Sequence, residues 1–140
     1  NYSKRIIKSP KLYFVDVGLL CYLLRIRTED ELRGHPLYGS IFETFVVSEV
    51  LKAFVHRGER PPLSFWRDRT GHEVDLLVDA GARTIAMEVK AGRTLWADSL
   101  AGLRYFAGLT GVRADPVLVY GGADPALREG VRVRTWWQVS

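Results

Sequence analysis

Gly71-His72-Glu73-Val74-Asp75-Leu76-Leu77-Val78 and, after a short turn, Thr84-Ile85-Ala86-Met87-Glu88-Val89-Lys90 form the stretch on which the reading of this chain turns. Both runs are rich in β-branched and apolar residues, and Ala80-Gly81-Ala82 between them supplies a turn, so together they read as a β-hairpin. With Asp79 facing Thr84, Asp75 falls across from Glu88 and Glu73 across from Lys90. Strict alternation puts Glu73, Asp75 and Leu77 on one face and Val74, Leu76 and Val78 on the other. In the second strand Ala86, Glu88 and Lys90 oppose Ile85, Met87 and Val89. One sheet face is therefore expected to be apolar and the other charged. Like charges across a ladder cost stability, and a divalent cation between the two carboxylates is a sufficient reason to keep them.

Working outward, Leu63 to Arg67 reads as a further strand, which makes an antiparallel meander of three. Ahead of it, Ser40 to about His56 carries Ile41, Phe42, Phe45, Val46, Val50, Leu51, Phe54 and Val55 at helical spacing and stops at Gly58 and Pro61-Pro62. Beyond the hairpin, Trp96 to Leu109 is again helical, with Leu100, Leu103, Phe106 and Ala107 on one face and Gly111 as terminator. Pro116 to Tyr120 is an almost continuous apolar run before Gly121-Gly122, the pattern of a central buried strand. Val131 to Trp136 reads as a final strand. At the amino end, a basic stretch from Lys4 to Lys11 runs into Leu12 to Val15, a short strand or extended piece. Asp16 then caps a short buried helix, Val17 to Leu24, and Arg25 to Tyr38 reads as a connecting loop with room for one helical turn. The expected fold is α/β, a mixed central sheet flanked by helices in α-β-β-β-α-β order. Residues 1–38 lead into a core of residues 39–140.

Asp75 and Glu88 offer hard oxygen donors suited to Mg²⁺ or Mn²⁺. Lys90, two residues after Glu88, shares its face and brings a positive charge that can orient or help deprotonate an attacking water and stabilise charge on a phosphate. A surface salt bridge to Glu73 or Asp75 is the plainer role for the same ammonium. Glu43 lies in line with Val47, Val50 and Phe54 on one helical stripe, so its carboxylate shares the packing face; an acid in the first turn is also favoured by the helix dipole alone. Arg67 and Arg69, at the end of the strand beside Asp75, are candidates for phosphate contacts, or else simply solvated in a turn. His35, His56 and His72 lack metal-ligand spacing, and His72 reads as a turn residue. Trp66, Trp96, Trp136 and Trp137, with Tyr105 and Phe106, could stack on bases, although core packing accounts for most of them.

Composition sets the frame for these candidates. The 140 residues are 47% hydrophobic and carry 20 Lys plus Arg against 16 Asp plus Glu, a formal net charge of +4. That suffices for one domain with a real core and excludes a disordered chain. The basic balance fits nucleic acid as a partner and equally an arginine-rich solvated surface. The longest apolar run, Val17 to Leu24, is too short for a membrane span, which needs about 20 residues. Cys21 is the only cysteine, so there is no internal disulfide or thiolate-built zinc site, and the expected compartment is the reducing cytoplasm. No Gly-x-Ser-x-Gly elbow or Cys-His pairing is present, leaving nucleophilic catalysis without a candidate. The chain starts at Asn1 and its only methionine is Met87, so it is expected to be a piece of a longer polypeptide.

The order helix Glu43, strand Asp75, then Glu88-x-Lys90 resembles the PD-(D/E)xK nuclease-like superfamily, with the departure that Glu73-Val74 rather than a proline precedes Asp75. Further strings cover nearly the whole chain: K-L-Y-F-V-D-V-G-L-L (Lys11 to Leu20), G-S-I-F-E-T-F-V (Gly39 to Val46), F-W-R-D (Phe65 to Asp68), G-H-E-V-D-L-L (Gly71 to Leu77), M-E-V-K (Met87 to Lys90) and L-V-Y-G-G (Leu118 to Gly122). These are similar to the carboxy-terminal domain of unknown function attached to prokaryotic AAA-type ATPases. The resemblance implies a restriction-endonuclease-like core with a Mg²⁺ or Mn²⁺ site at Asp75, Glu88 and the Val89 carbonyl. It further implies that Lys90 serves the attacking water, that Glu43 holds the water or a second ion, and that the reaction is phosphodiester hydrolysis on DNA. ATP would enter only through a P-loop module ahead of this chain, since no G-x-x-x-x-G-K-[ST] occurs within it. DNA and that ATPase module are the expected partners, with self-assembly open. Two other readings keep the fold: an inactive module that binds DNA or a protein, and a structural or oligomerisation domain whose charges form salt bridges.

Overall fold

A computed structural model of the chain describes residues 10–109, 111 and 113–139. Three helices, α1 (Val17–Leu23), α2 (Glu29–Gly34) and α3 (Tyr38–Val55), precede a meander of β1 (Leu63–Arg67), β2 (Glu73–Asp79) and β3 (Thr84–Lys90). A 3₁₀ turn at Ala97–Leu100 leads into α4 (Ala101–Ala107), and β4 (Ala114–Tyr120), β5 (Ala126–Arg128) and β6 (Val131–Thr135) complete the chain. The six strands form one mixed sheet in the order β1-β2-β3-β4-β6-β5. β3, β4 and β6 run parallel, while β1, β2 and β5 pair antiparallel at the two sides. The expected α/β class, meander and central buried strand before Gly121 are all present, the last pairing parallel to both its neighbours.

Two apolar clusters explain why the sheet lies in the middle. On one face Val46, Val47 and Val50 of α3 pack on Leu76, Val78, Met87, Val89, Val117 and Val119. On the other, Leu103 and Phe106 of α4 pack with Leu100 on Trp66, Val74, Leu77, Ala86 and Leu118. Leu103 and Phe106 are almost wholly buried, and truncating either to Ala would cost about 3–5 kcal/mol. The small polar residues Thr44 and Ser48 fit inside because each hydroxyl donates to a carbonyl of α3 itself, Ser40 at 2.8 Å and Phe45 at 2.9 Å. The expectation of one apolar and one charged sheet face is therefore overturned. Parallel strands with a helix on each side are apolar on both faces, and Glu73, Asp75, Glu88 and Lys90 gather at one end of the sheet.

The hairpin closes in the expected register, with Asp79 facing Thr84, but the ladder runs only to Leu76 opposite Met87, so the expected pairs Asp75–Glu88 and Glu73–Lys90 are not part of it. Strict alternation in β2 fails, however, because β1 pairs Ser64 with Leu77 but Trp66 with Val74. Asp75 and Leu76 together oppose the single residue Phe65, which is a β-bulge. Parity changes at that point. Val74 joins Leu77 in the α4 cluster, while Leu76 joins Val78 in the α3 cluster.

Smaller departures have local causes. The helix expected at Val17–Leu24 forms with Asp16 accepting from Leu19 N–H at 2.9 Å. It buries none of its residues, and Tyr22 is 77% exposed. Leu12–Val15 belongs to no strand, and the chain bends at Val15. The helical turn anticipated in the Arg25–Tyr38 connection is α2, fixed by a capping box between Thr28 and Glu31. β5, three residues long, was not anticipated; Glu129 and Gly130, both with positive φ, turn it into β6. Lys4 and Lys8 of the basic amino-terminal stretch lie outside the described residues. Among the described residues no helix is long and apolar enough to cross a membrane.

Candidate functional site

The site is built at the end of the sheet where β2 and β3 stop laddering. Beyond the Leu76–Met87 pair the Asp75 side chain takes the place of a strand partner: its Oδ2 accepts from the Val89 N–H at 2.9 Å. The acid of β2 is thus hydrogen-bonded to the middle residue of Glu88-Val89-Lys90. Its other oxygen, Oδ1, lies 3.3 Å from Lys11 Nζ. Burial and then the charge of Glu43 raise the Asp75 pKa, opposed by the Val89 N–H and by Lys11.

Glu43 reaches the same place from α3. Its Oε1 accepts from Lys11 Nζ at 3.0 Å and from the Tyr13 hydroxyl at 2.6 Å. Glu73 also pairs with Lys11, and its second oxygen lies 3.2 Å from Arg67 Nε. One ammonium is therefore shared by three carboxylates. Burial alone would lower the Lys11 pKa, but Glu73, Asp75 and Glu43 together raise it. Tyr13 is likewise raised, by burial first and then by the hydrogen bond and charge of Glu43.

Glu88 and Lys90 form a second, adjacent group. Lys90 Nζ lies 2.7 Å from Glu88 Oε1, whereas Glu88 Oε2 is buried with no hydrogen-bond partner. Desolvation and then the charge of Asp75 push the Glu88 carboxyl up to about 7, against the pull of Lys90. The Lys90 pKa is raised: burial opposes its charge, and the Glu88 carboxylate outweighs burial. α4 closes over this pair. A Cβ on Gly102 would sit 2.4 Å from the Glu73 carbonyl oxygen and 3.8 Å from Glu88 Oε2, so only glycine permits this approach. Gly121, whose N–H donates to the Lys90 carbonyl at 3.0 Å, fixes the end of β3 in the same way.

The structure thus gathers Glu43 and Asp75 around one cation and keeps Glu88 with Lys90 beside them, with the Asp75 charge acting on both Glu88 and Lys90. Val89 takes part through its N–H. Arg67 reaches the cluster through Glu73, while Arg69 lies in the exposed turn between β1 and β2. Asp68 organises that turn, accepting from the Thr70 and His72 N–H groups, each at 2.9 Å, and from the Thr70 hydroxyl at 2.8 Å. Burial opposes its ionisation, but these bonds bring the Asp68 carboxyl down to about 2. His72 stacks on Tyr105 with ring centroids 3.8 Å apart, the turn residue it was expected to be. Trp66 and Phe106 are core, whereas Trp96 is 72% exposed.

Lys11 and Tyr13 were not singled out from sequence. The one available signal is their spacing of two in an extended run, which puts both on the same side, with Leu12 between them 86% exposed. The donor set, carboxylates with one orphaned buried oxygen, suits a hard divalent ion. In the arrangement seen, Lys11 fills the cluster, and among the described residues no group of three or more His, Cys, Asp or Glu is disposed to hold a metal. A cavity of about 260 Å³ lined by Lys11, Tyr13, Val47, Phe65, Asp75 and Leu76 adjoins the site. A larger apolar cavity of about 400 Å³, among Phe42, Phe45 and Trp136, contains none of these acids.

Residues 38–138 match the family model described as "Domain of unknown function (DUF4143)". The chain belongs to the DUF4143 family. Residues 1–30 match a separate model, "Domain of unknown function (DUF8612)". Uncharacterized proteins of Mycobacterium bovis and Mycobacterium tuberculosis are each 34% identical over 94 residues, 67% of this chain but 20% of their own length. This DUF4143 chain therefore spans about a fifth of the relatives it matches. All the acids of the site, with Arg67 and Lys90, fall inside the DUF4143 match, and Lys11 falls inside the other.

Proposed function

We propose that this domain is a PD-(D/E)xK-type nuclease module that hydrolyses DNA phosphodiesters with Mg²⁺ or Mn²⁺, working as the carboxy-terminal part of an AAA-type ATPase. The observation that carries this reading is the hydrogen bond from Val89 N–H to Asp75, which couples the β2 acid to Glu88-Val89-Lys90, beside a Glu88 Oε2 that is buried without a partner. Asp75 and Glu88, with the Val89 carbonyl, would hold the ion, which when bound polarises the phosphate and lowers the pKa of water. Lys90, half exposed beside Glu88, offers a positive charge to the attacking water and to the phosphate under attack. Glu43 positions that water or a second ion, and Arg67 and Arg69 flank the strand end where a DNA backbone would pass.

The test is nicking of supercoiled DNA in Mn²⁺. Asp75→Asn and Lys90→Ala should each lower the rate by about 10²–10³-fold, with folding checked by circular dichroism. Cutting that survives both substitutions would end the reading. One observation favours a second reading, an inactive module of the same fold that binds DNA or protein: Lys11 already neutralises the acids. For that module, DNA binding without cutting, weakening steeply with salt, is the expected result.

A further inference from the structure

Lys11 comes from a different part of the chain than the groups it joins. It stands on the irregular segment 10–15 ahead of α1, within residues 1–30, whereas Glu43, Glu73 and Asp75 lie within 38–138. Among the described residues this segment makes no ladder with the sheet. Two side chains on one side of it hold it down. The Lys11 ammonium sits among three carboxylates, and Tyr13 packs against the α3 cluster while donating to Glu43 at 2.6 Å. Leu12 between them, and Val15 after them, face solvent.

An ammonium held on Asp75 and a divalent ion bound to Asp75 exclude each other, through the shared carboxylate and like charge. We infer that segment 10–15 is a strap that closes the acidic site: the chain supplies its own cation in the closed arrangement, and a divalent ion gains Asp75 as the strap lifts. Such an ion would meet acids with other anchors, because Asp75 is also tied to Val89 and Glu73 to Arg67, contacts that do not involve Lys11. Lifting Lys11 and Tyr13 would also unroof the cavity they line with Val47, Phe65 and Leu76. Because the strap and the acids match separate family models, rearrangement in the amino-terminal unit would be transmitted to the site through this contact. The inference rests on the metal-site reading above and adds its regulation.

Two measurements test it. Calorimetric titration with Mn²⁺ compares the unaltered chain with Lys11→Met, and amide hydrogen exchange follows residues 11–15 of the unaltered chain with and without Mn²⁺. Removing the competing ammonium should tighten Mn²⁺ binding at least about tenfold, since apparent affinity scales with the open fraction. Mn²⁺ should also speed exchange in the strap. Equal affinity with unchanged exchange overturns the strap and leaves the metal site standing, whereas no Mn²⁺ binding by either protein overturns both. Should Lys11→Met fail to fold, the exchange measurement on the unaltered chain decides alone.

Discussion

The two charged groups at the end of the sheet meet their burial in opposite ways. Around Lys11, three acids from α3 and β2 share an ammonium, and a tyrosine hydroxyl and a backbone N–H take up further lone pairs. Around Glu88 one lysine serves one oxygen and the other oxygen has nothing. Buried charge is stable when paired and hydrogen-bonded and costly otherwise. The first group has the form of a structural clasp, and the second retains the unsatisfied polarity expected of a site built to receive something.

The largest expected effect breaks that contrast on the Glu88 side. Its carboxyl titrates near 7 in the folded chain against 4.5 ordinarily, so folding takes up a proton between those values. Without divalent ions, the contribution of this carboxyl to stability should be greatest below about pH 4.5 and be lost as pH rises through 7, by about 3 kcal/mol in all. Glu88→Gln should flatten this limb and be the more stable protein at pH 8, as read from urea unfolding at several pH values. A wild-type chain whose stability is level from pH 5 to 8 would contradict it.

On the clasp side the sign reverses. Lys11→Met leaves three partly buried acids without their shared cation and should cost about 2 kcal/mol at neutral pH, less than for a fully buried pair because water reaches the cluster. Added Mn²⁺ should recover that loss in a thermal melt. Gly102→Ala sharpens the comparison from above: its methyl meets the Glu73 carbonyl and pushes α4 off the site, at about 1–2 kcal/mol. The smallest effect belongs to the neighbouring turn. Asp68 holds its stabilising bonds above about pH 3.8 and loses them as pH falls through 2, so Asp68→Asn should lower stability slightly at pH 7, where those bonds are intact, and make the acid limb shallower because there is less to lose.

How much of this was legible depended on distance along the chain. The Asp79–Thr84 register followed from local alternation around Gly81, and α3 from its apolar spacing. The bulge at Asp75-Leu76 was invisible because only the pairing with β1 reveals it, and that pairing is set by the packing of Trp66 and Val74 under α4. The exposure of α1 escaped for a similar reason: an apolar run states a preference for burial, not the presence of a neighbour. Asp75, Glu88, Lys90 and Glu43 were found because their residue types are unusual where strands and a helix pack. Lys11 was missed because it lies 64 residues from Asp75 in sequence within a run of basic residues that reads as plain surface.

The doubled residue opposite Phe65 carries a final implication. A strand of strict period two would have to choose, at this height, between feeding the layer under α3 with Leu76 and presenting an acid to Val89. By spending one extra residue, β2 does both, so its lower half serves as a wall of the hydrophobic interior and its upper half as a rim of charge. Trimming either Asp75 or Leu76 would set the two halves out of step, turning Val74 and Glu73 about the strand axis and exchanging oil for ions across the sheet.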